Sequence, residues 1–412
     1  MMSTTELALV VDEWFDGALR RCSMATFFVR QGRIEQIIHG DAGADFAARG
    51  IAVERGAFLM PGLVDAHVHL FLNGAPTDAP TRSAHLKKPL DELVEAARCS
   101  ARQALACGVT LVRDAGDRHG INHRIRDESR RASTDFCHVR SGGLGVKRPK
   151  RYGAFMARDV EDDAAIRESV AALARDSDEI KLILTGIIDF DAGAVIDEPQ
   201  FNLDETRLVV DTARVNGRTS FAHCSGEKGL RIAAHAGVGS IEHGFFMNRE
   251  TLALMRDKQI AWTPTFCPVH FQWAHPEAAG WSSNTVGNLR RILDAHAKHL
   301  KLADEMGVPL LVGTDAGSMG VEHGYALFDE IDRYLEAGLT LEATLTAATS
   351  GARRHFGMRH PELTIGAPFD AVLLSASPFT KIAALREPLK VWKESTLSAR
   401  IAGGPDDVNQ QE

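Results

Sequence analysis

The chain has 412 residues, of which 44% are hydrophobic and 25% are charged, so it has the composition of a globular protein with a substantial core. Its net charge of −8 with neutral histidines argues against a nucleic-acid-binding surface, and no apolar stretch is long enough to span a membrane. The cysteines follow no disulfide or metal-binding motif and the N-terminus shows no signal peptide, so we expect a reduced, cytoplasmic protein.

The N-terminal region is predicted to form a small β unit. Short apolar runs broken by turn residues indicate strands at Leu7–Val11, Met24–Val29 and Arg33–Ile38. The dipeptides Asp16-Gly17 and Gln31-Gly32 lie where the turns are expected. This unit is not expected to close a core of its own.

From Leu59 onward the pattern changes to strands alternating with helices. Eight strands are predicted. The first lies within Leu59–Leu70 and is entered from a turn at Pro61-Gly62. The others are Val109–Asp114, Phe136–Ser141, Ile180–Thr185, Thr219–His223, Ser240–His243, Ala261–Thr265 and Leu310–Asp315. The helices between them include Asp91–Ala106, Asp159–Ala174, Asp204–Asn216, Glu250–Lys258 and Asn288–Met306. This alternation predicts an α/β fold of the (β/α)₈ TIM-barrel type. An open doubly wound sheet is the alternative, but no Gly-rich dinucleotide turn follows any strand.

After the last strand, two more helices are predicted, at Gly324–Ala337 and Leu341–Phe356, before strand-like segments at Thr364–Leu374 and Leu389–Glu394. The tail after Gly403 is polar and expected to be loose. The predicted organisation is therefore a barrel over residues 59–360 and a composite β-sandwich domain built from both termini, residues 1–58 and 361–412.

Several metal-ligand residue types lie at the predicted strand ends. In a barrel, side chains at the carboxyl ends of the strands converge on one mouth. His67 and His69 are two residues apart on one strand, so both point to the same face. The other candidates are Lys181, His223, His243 and Asp315. Arg113 and Asp114, which end strand two, are predicted instead to form a structural ion pair near the mouth. A single strand-end histidine is often structural, but six polar groups converging in a barrel would be costly without a metal.

Lys181 is unusual because it lies within an apolar strand, Ile180-Lys-Leu-Ile-Leu184. A buried lysine is normally expensive, since desolvation disfavours its charge. A lysine amine that has added carbon dioxide is a carbamate, an oxygen ligand that can bridge two metal ions.

At these residues the sequence resembles the amidohydrolase superfamily, over nearly the whole chain. The branch that it resembles most holds Xaa-Pro dipeptidases, related metal-dependent carboxypeptidases and imidazolonepropionase-like proteins. Each matching motif is weak alone, whereas five in order with barrel spacing are specific. The motifs are Pro61-Gly-Leu-Val-Asp-Ala-His-Val-His69, Glu179-Ile-Lys181, Ala222-His223, Ser240-Ile-Glu-His-Gly244 and Gly313-Thr-Asp-Ala-Gly317.

The resemblance implies two divalent metal ions and a hydrolase that cleaves a carbon–nitrogen bond. One ion would be held by His67, His69 and Asp315, the other by His223 and His243, with carboxylated Lys181 as the bridge. Zn²⁺ is the default for imidazole and carboxylate ligands. Asp315 would orient a metal-activated hydroxide, take its proton and pass it to the leaving nitrogen. Dimers or larger homo-oligomers are ordinary for such enzymes.

Two turns depart from the peptidase branch. Where those relatives have a Gly-Gly-His turn after strand three, this chain has Gly142-Gly143-Leu144. Where they have His-Ala-His after strand five, it has His223-Cys224-Ser225. Neither change removes a ligand residue. Both instead concern substrate recognition, at Leu144 and at Ser225.

Three further residues are candidate substrate contacts. Arg151 and Tyr152 belong to the loop Gly145-Val-Lys-Arg-Pro-Lys-Arg-Tyr152, which could offer a cation or a phenol to an acidic substrate, although a solvated basic loop is the favoured interpretation. His270 follows strand seven near the expected mouth. The sequence does not identify the substrate, which could be an N-acyl amino acid, a dipeptide or a bulkier amide.

Two other functions compete with a binuclear amidohydrolase. One is a mononuclear deaminase or cyclic-amide hydrolase of the imidazolonepropionase kind, which would not need a bridging lysine at position 181. The other is a non-catalytic barrel used as an interaction scaffold, which predicts eroded ligands, whereas all six ligand types are present.

Overall fold

The computed structural model describes residues 6–131, 135–393 and 396–397. Its strands are β1 (Glu6–Phe15), β2 (Arg20–Arg21), β3 (Ala25–Arg30), β4 (Arg33–His39), β5 (Ala52–Pro61), β6 (Leu63–Val68), β7 (Val109–Asp114), β8 (His138–Ser141), β9 (Gly145–Lys147), β10 (Ala157–Asp159), β11 (Ile180–Ile183), β12 (Ser220–Cys224), β13 (Ser240–His243), β14 (Ala261–Thr263), β15 (Ala371–Leu374), β16 (Pro388–Lys393) and β17 (Thr396–Leu397). Its helices are α1 (Gly43–Ala48), α2 (Ala79–His85), α3 (Leu90–Ala106), α4 (Ile121–Arg131), α5 (Asp163–Leu173), α6 (Leu203–Val215), α7 (Glu227–Ala236), α8 (Arg249–Lys258), α9 (Cys267–Ala274), α10 (Pro276–Ala279), α11 (Ser283–Met306), α12 (Tyr325–Glu336), α13 (Leu341–Ala347) and α14 (Ser350–His355).

One eight-stranded sheet contains strands from both ends of the chain. Its order is β17-β16-β15-β5-β1-β3-β4, with β2 beside β1. The pairing of β15 with β5 joins residues 371–374 to residues 58–61, and the three strands predicted near the N-terminus are confirmed. A second layer that would make this sheet a sandwich, and the predicted segment boundaries, stay predictions. The predicted loose tail after Gly403 lies outside the described residues.

The middle of the chain forms parallel sheets, as predicted for an α/β fold. One sheet has the order β10-β9-β11-β12-β13-β14, and a second has the order β6-β7-β8. Every pairing within these two sheets is parallel. Closure of these strands into a complete eight-stranded barrel stays a prediction.

The segment predicted as strand eight, Leu310–Asp315, joins the two parallel sheets without itself forming a strand. It makes an isolated parallel bridge to β14 through Leu310 and Trp262. On its other side the Asp315 N–H donates to the carbonyl of His67 at 2.7 Å. The strand prediction was wrong in that the segment is not a regular strand. It nevertheless links β14 and β6, because the Leu311 N–H donates to the Trp262 carbonyl at 2.9 Å and the Ala66 N–H donates to the Val312 carbonyl at 2.8 Å.

The stretch Leu59–Leu70 is divided by Gly62 between two sheets. Residues up to Pro61 belong to β5 in the sheet shared by both termini, whereas β6 begins at Leu63 in a parallel sheet. A side chain at position 62 could not fit, since a Cβ there would lie 2.2 Å from Oγ1 of Thr110. The strand predicted to follow Pro61-Gly62 is therefore β6, and Leu59 and Met60 belong to a different sheet.

Other corrections concern helix and strand limits. The predicted helix Leu341–Phe356 is two helices, because Thr349 has non-helical dihedrals of φ −140° and ψ −96°. The helix predicted from Asp159 begins at Asp163, since the Asp162 side chain accepts from the Ala165 N–H and caps it. Of the strand predicted over Thr364–Leu374, only residues 371–374 form β15.

A buried arginine on α14 fastens the junction between the sheets. The Arg353 guanidinium donates to the Gly62 carbonyl at 2.7 Å and to Oγ1 of Thr110 at 2.8 Å. It therefore holds the start of β6, which carries two of the candidate ligands, against β7.

Among the described residues, no helix combines the length and the hydropathy that crossing a membrane requires.

Replacing Arg353 with alanine should lower the free energy of unfolding by about 3 kcal/mol, because it leaves a buried carbonyl and a buried hydroxyl unpaired. The matched control is Arg354→Ala, which removes only an exposed ion pair with Glu362 and should cost less than about 1 kcal/mol. Urea unfolding followed by circular dichroism measures both. Equal losses in the two variants would contradict the role given to Arg353.

Candidate metal centre

Six side chains predicted as ligands lie on the parallel strands and the segment that joins them. His67 and His69 come from the end of β6, and Asp315 ends the segment that hydrogen-bonds to β6. Lys181, His223 and His243 come from the neighbouring strands β11, β12 and β13. Because the strands are parallel and adjacent, their carboxyl ends bring these groups to one place.

The four imidazoles and Asp315 form one compact cluster. The ring centroids of His67 and His69 are 5.6 Å apart, and those of His67 and His243 are 5.0 Å apart. The His223 and His243 rings are 4.5 Å apart. Oδ1 of Asp315 lies 3.7 Å from Nε2 of His67 and 3.6 Å from Nε2 of His69.

His67, His69 and Asp315 have the geometry of a metal-binding group. One ligand atom from each lies within 4.8 Å of the other two, and both histidines are buried. Two imidazole nitrogens and one carboxylate oxygen are a donor set that suits a divalent metal ion such as zinc.

Three buried atoms in the cluster have no hydrogen-bond partner among the described residues. They are Nε2 of His67, Nε2 of His243 and Nζ of Lys181. An unpaired buried polar atom normally costs about 1–3 kcal/mol, and folded proteins contain few of them. The residues present therefore fit a metal centre, since bound ions would engage these atoms.

The second ring nitrogen of three histidines is held by a neighbour. Nδ1 of His67 donates to Oε2 of Glu242 at 2.7 Å, and Nδ1 of His69 donates to the Gly116 carbonyl at 2.9 Å. Nδ1 of His243 is hydrogen-bonded to the Thr265 hydroxyl at 2.8 Å. These bonds fix each ring so that Nε2 points into the cluster, as in metal-binding histidines generally.

Burial makes the four imidazoles neutral near pH 7. It lowers the pKa of His69 and of His223 to about 3, with a smaller contribution from the Lys181 charge. It also lowers the pKa of His67 and of His243 well below the usual range. Neutral imidazole is the form that binds a metal ion.

The two remaining ligand candidates shift in opposite directions. Burial lowers the pKa of Lys181 to about 8, although the carboxylates of Glu242 and Asp315 oppose the shift. Burial raises the pKa of Asp315 to about 7, although the Lys181 charge opposes it. The pKa of each group therefore lies close to neutral pH, where a side chain can most easily both accept and donate a proton.

Glu242 and Arg113 form a buried ion pair behind His67, and neither was given this role from the sequence. Nη2 of Arg113 lies 2.7 Å from Oε2 of Glu242, the oxygen that also accepts a hydrogen bond from His67.

The predicted Arg113–Asp114 pair was wrong, because adjacent strand residues point to opposite faces. Asp114 instead accepts from the Gly116 N–H, at 2.9 Å, and so fixes the turn whose carbonyl holds His69.

Two candidate ligands and one of their partners have left-handed backbone conformations. The φ angles are +67° for His243, +57° for Asp315 and +52° for Thr265. Such residues cost about 1–3 kcal/mol each and persist where the surroundings enforce them, often at functional sites. The sequence signal for this unusual backbone was that Glu242 and His243 are adjacent, because both side chains can face the interior only if the strand turns between them.

Of the predicted substrate contacts, Tyr152 lies beside the cluster. Its ring is 5.2 Å from that of His223 and 6.2 Å from that of Phe155, which in turn lies 6.2 Å from the His69 ring. Burial, helped by the Asp315 charge, raises the pKa of the Tyr152 phenol. A neutral phenol and an aromatic ring therefore border both halves of the cluster.

The other predicted contacts are placed differently. Arg151 donates to the backbone carbonyl of Glu198. Leu144 lies between β8 and β9 and is partly buried, and the N–H of buried Ser225 donates to the Thr185 hydroxyl at 3.0 Å. Nε2 of His270 accepts from Arg333 at 2.8 Å in a cavity between helices α9, α11 and α12. Contact with substrate stays a prediction for each of them.

The chain is similar to several known proteins over most of its length. It is 29% identical over 355 residues to an uncharacterized protein of Mycobacterium tuberculosis, covering 85% of this chain and 88% of that one. It is 25% identical over 381 residues to ochratoxinase of Aspergillus niger, covering 84% of this chain and 77% of the relative. In structure it resembles a Xaa-Pro dipeptidase with a TM-score of 0.80, 22% identity, and coverage of 95% and 99%.

The model of the amidohydrolase family matches residues 58–401. That range includes the five motifs on which the resemblance was based and all six candidate ligands. The chain therefore belongs to the amidohydrolase family.

Proposed function

We propose that the chain is a metal-dependent hydrolase that cleaves a carbon–nitrogen bond of a small amide. In this proposal His67, His69 and Asp315 would hold one divalent ion, and His223 and His243 would hold a second. Lys181, once carboxylated, would supply oxygen ligands to both ions, and Zn²⁺ would suit this donor set. Family membership and the similarity to a Xaa-Pro dipeptidase support the proposed type of bond.

The observation that carries the proposal is the set of unpartnered atoms inside the cluster. Nε2 of His67, Nε2 of His243 and Nζ of Lys181 are buried without hydrogen-bond partners among the described residues. A structural polar core would pair these atoms with one another or with the backbone. Atoms left available at one place are instead what a metal centre requires.

The surroundings of Lys181 suit its conversion to a carbamate. Its side chain is fully buried, and Nζ lies 5.1 Å from the centre of the Phe221 ring. Because burial lowers its pKa to about 8, a larger fraction of the amine is uncharged near neutral pH than in an exposed lysine. The uncharged nitrogen can attack carbon dioxide and lose a proton, which gives a carbamate anion with two oxygen ligands.

When bound, the ions would act as Lewis acids that make hydroxide available near neutral pH and polarise the substrate carbonyl. The chain's own proton carrier in this proposal is Asp315. Its carboxylate accepts the proton of the attacking water and returns it to the leaving nitrogen. Glu242 keeps Nδ1 of His67 protonated throughout, so that Nε2 stays a ligand.

Metal analysis of protein purified without chelators tests the binuclear site. We expect about two equivalents of zinc in the unchanged protein and a fall to one or fewer in Lys181→Ala, because the bridging ligand is lost. Lys147→Met is the matched control, since Lys147 is also buried but pairs with Asp159 at 2.6 Å. One equivalent that does not change on loss of Lys181 would refute the bridge and favour a mononuclear enzyme.

Asp315→Asn tests the proposed proton carrier. We expect kcat for N-acyl amino acid hydrolysis to fall about 10²- to 10⁴-fold, because the amide cannot accept the proton. Since Asp315 is also a proposed ligand, turnover is compared at saturating zinc with metal content measured in parallel. Asp304→Asn, on α11, is the control. Full activity of Asp315→Asn once its metal content is restored would rule out the proton-transfer role.

A further inference from the structure

Arg82 lies beside the metal-ligand cluster, on helix α2. This helix belongs to the connection that leads away from β6, the strand that carries His67 and His69. Nη2 of Arg82 donates to the carbonyl of Gly317 at 3.0 Å. Gly317 is two residues beyond Asp315, so the guanidinium bridges the two loops that leave the ligand residues.

The hydrogen bonds of Arg82 leave part of its guanidinium unused. A guanidinium has five N–H donors in a fixed plane. Nη1 donates to the carbonyls of Asn73 at 3.0 Å and Pro76 at 3.3 Å, and Nη2 donates once, to Gly317. One N–H on Nε and one on Nη2 therefore have no partner among the described residues. These neighbouring nitrogens are the pair that an arginine uses to bind both oxygens of a carboxylate.

Arg82 also has no directly paired carboxylate among the described residues. It is half-buried, whereas the fully buried Arg113 faces Glu242 at 2.7 Å. Burial lowers the pKa of Arg82, and the field of the Asp315 carboxylate opposes that shift. A partly desolvated cation without a directly paired anion is unfavourable. An anionic group from outside the chain would relieve this cost.

The cations predicted from the sequence are less suitable for this purpose. Lys147 is paired with Asp159 at 2.6 Å, and Arg148 is paired with Glu205 at 2.6 Å. Arg151 donates to the backbone carbonyl of Glu198, in the connection between β11 and α6. Arg82 combines unused donors, the lack of a direct ion pair among the described residues, and a hydrogen bond to the loop that follows Asp315.

We propose that Arg82 binds a carboxylate group of the substrate at the edge of the metal centre. The inference rests on the proposed function and narrows it, because it selects amides that carry a free carboxylate, such as N-acyl amino acids and dipeptides, over neutral amides. The three backbone carbonyls hold the guanidinium in place before the substrate arrives, so little side-chain freedom is lost on binding.

Binding of a matched series of ligands tests the proposal. Calorimetry on the metal-loaded protein compares a panel of free L-amino acids, the products of such hydrolysis, with the corresponding amino alcohols, which lack the carboxylate. In the unchanged protein we expect the best carboxylate ligand to bind at least tenfold more tightly than its alcohol. In Arg82→Gln this preference should fall to below threefold, because glutamine can still donate to the Gly317 carbonyl but carries no charge.

Two further variants separate recognition from structure. Arg218→Met is the control, because Arg218 is also partly buried and also donates to a backbone carbonyl, that of Ala174 at 2.9 Å. It should keep the full carboxylate preference. Arg82→Lys keeps the charge but not the paired donors, so we expect an intermediate preference. This variant also decides the question if Arg82→Gln does not fold.

The outcomes separate this inference from the proposed function. A carboxylate preference below threefold in the unchanged protein, or an undiminished preference in the Arg82 variants, would overturn the role of Arg82. Kinetics with N-acetyl amino acids and the matching N-acetyl amino alcohols test the enzyme activity separately. If the unchanged protein hydrolyses neither series, the proposed function fails, and the binding comparison still decides the role of Arg82.

Discussion

The ion pair between Arg113 and Glu242 is the interaction on which the candidate centre depends. Both side chains are fully buried, and the Glu242 oxygen that faces Arg113 also accepts a hydrogen bond from Nδ1 of His67. Removing one partner of a buried pair leaves the other charge uncompensated, at a cost of about 3–5 kcal/mol. The same carboxylate therefore orients the His67 ring and pairs with the buried charge of Arg113. A cluster of neutral imidazoles with available Nε2 atoms is possible because this pair lies behind it.

The ends of the strands provide the second constraint. A regular strand alternates its side chains, so consecutive residues cannot both face the interior. Glu242 and His243 nevertheless both do so, as do Thr314 and Asp315: Thr314 donates to Asp65 at 2.6 Å, and Asp315 reaches the histidines. The left-handed φ angles of His243 and Asp315 make this possible. The buried carboxylate of Asp65 ties β6 to the Asp315 segment and helps to enforce the strain.

Much of the candidate site could be predicted from the sequence, because its residues occur at strand ends and strand ends in parallel sheets meet. The six ligand candidates were named in this way, and the family assignment is confirmed. The errors have physical causes. The change of sheet at Gly62 was not foreseen, because apolar character continues through it from Leu59 to Leu70. The predicted Arg113–Asp114 pair is not formed, because neighbouring residues of a strand point to opposite faces. The metal ions, the bridge and the substrate contacts stay predictions.

The sequence by itself determined the alternation of strands and helices, the ligand types and the family, since these depend on local periodicity and on motifs. Only the tertiary structure decided which atoms are left without partners, which charges are compensated and which loops meet. Glu242 contacts His67 across 175 positions, and Arg82 contacts Gly317 across 235 positions. Such contacts have no local signature, because they are produced by the packing of whole strands and loops. For that reason the position of Arg82 beside Asp315 could be seen only in the folded chain.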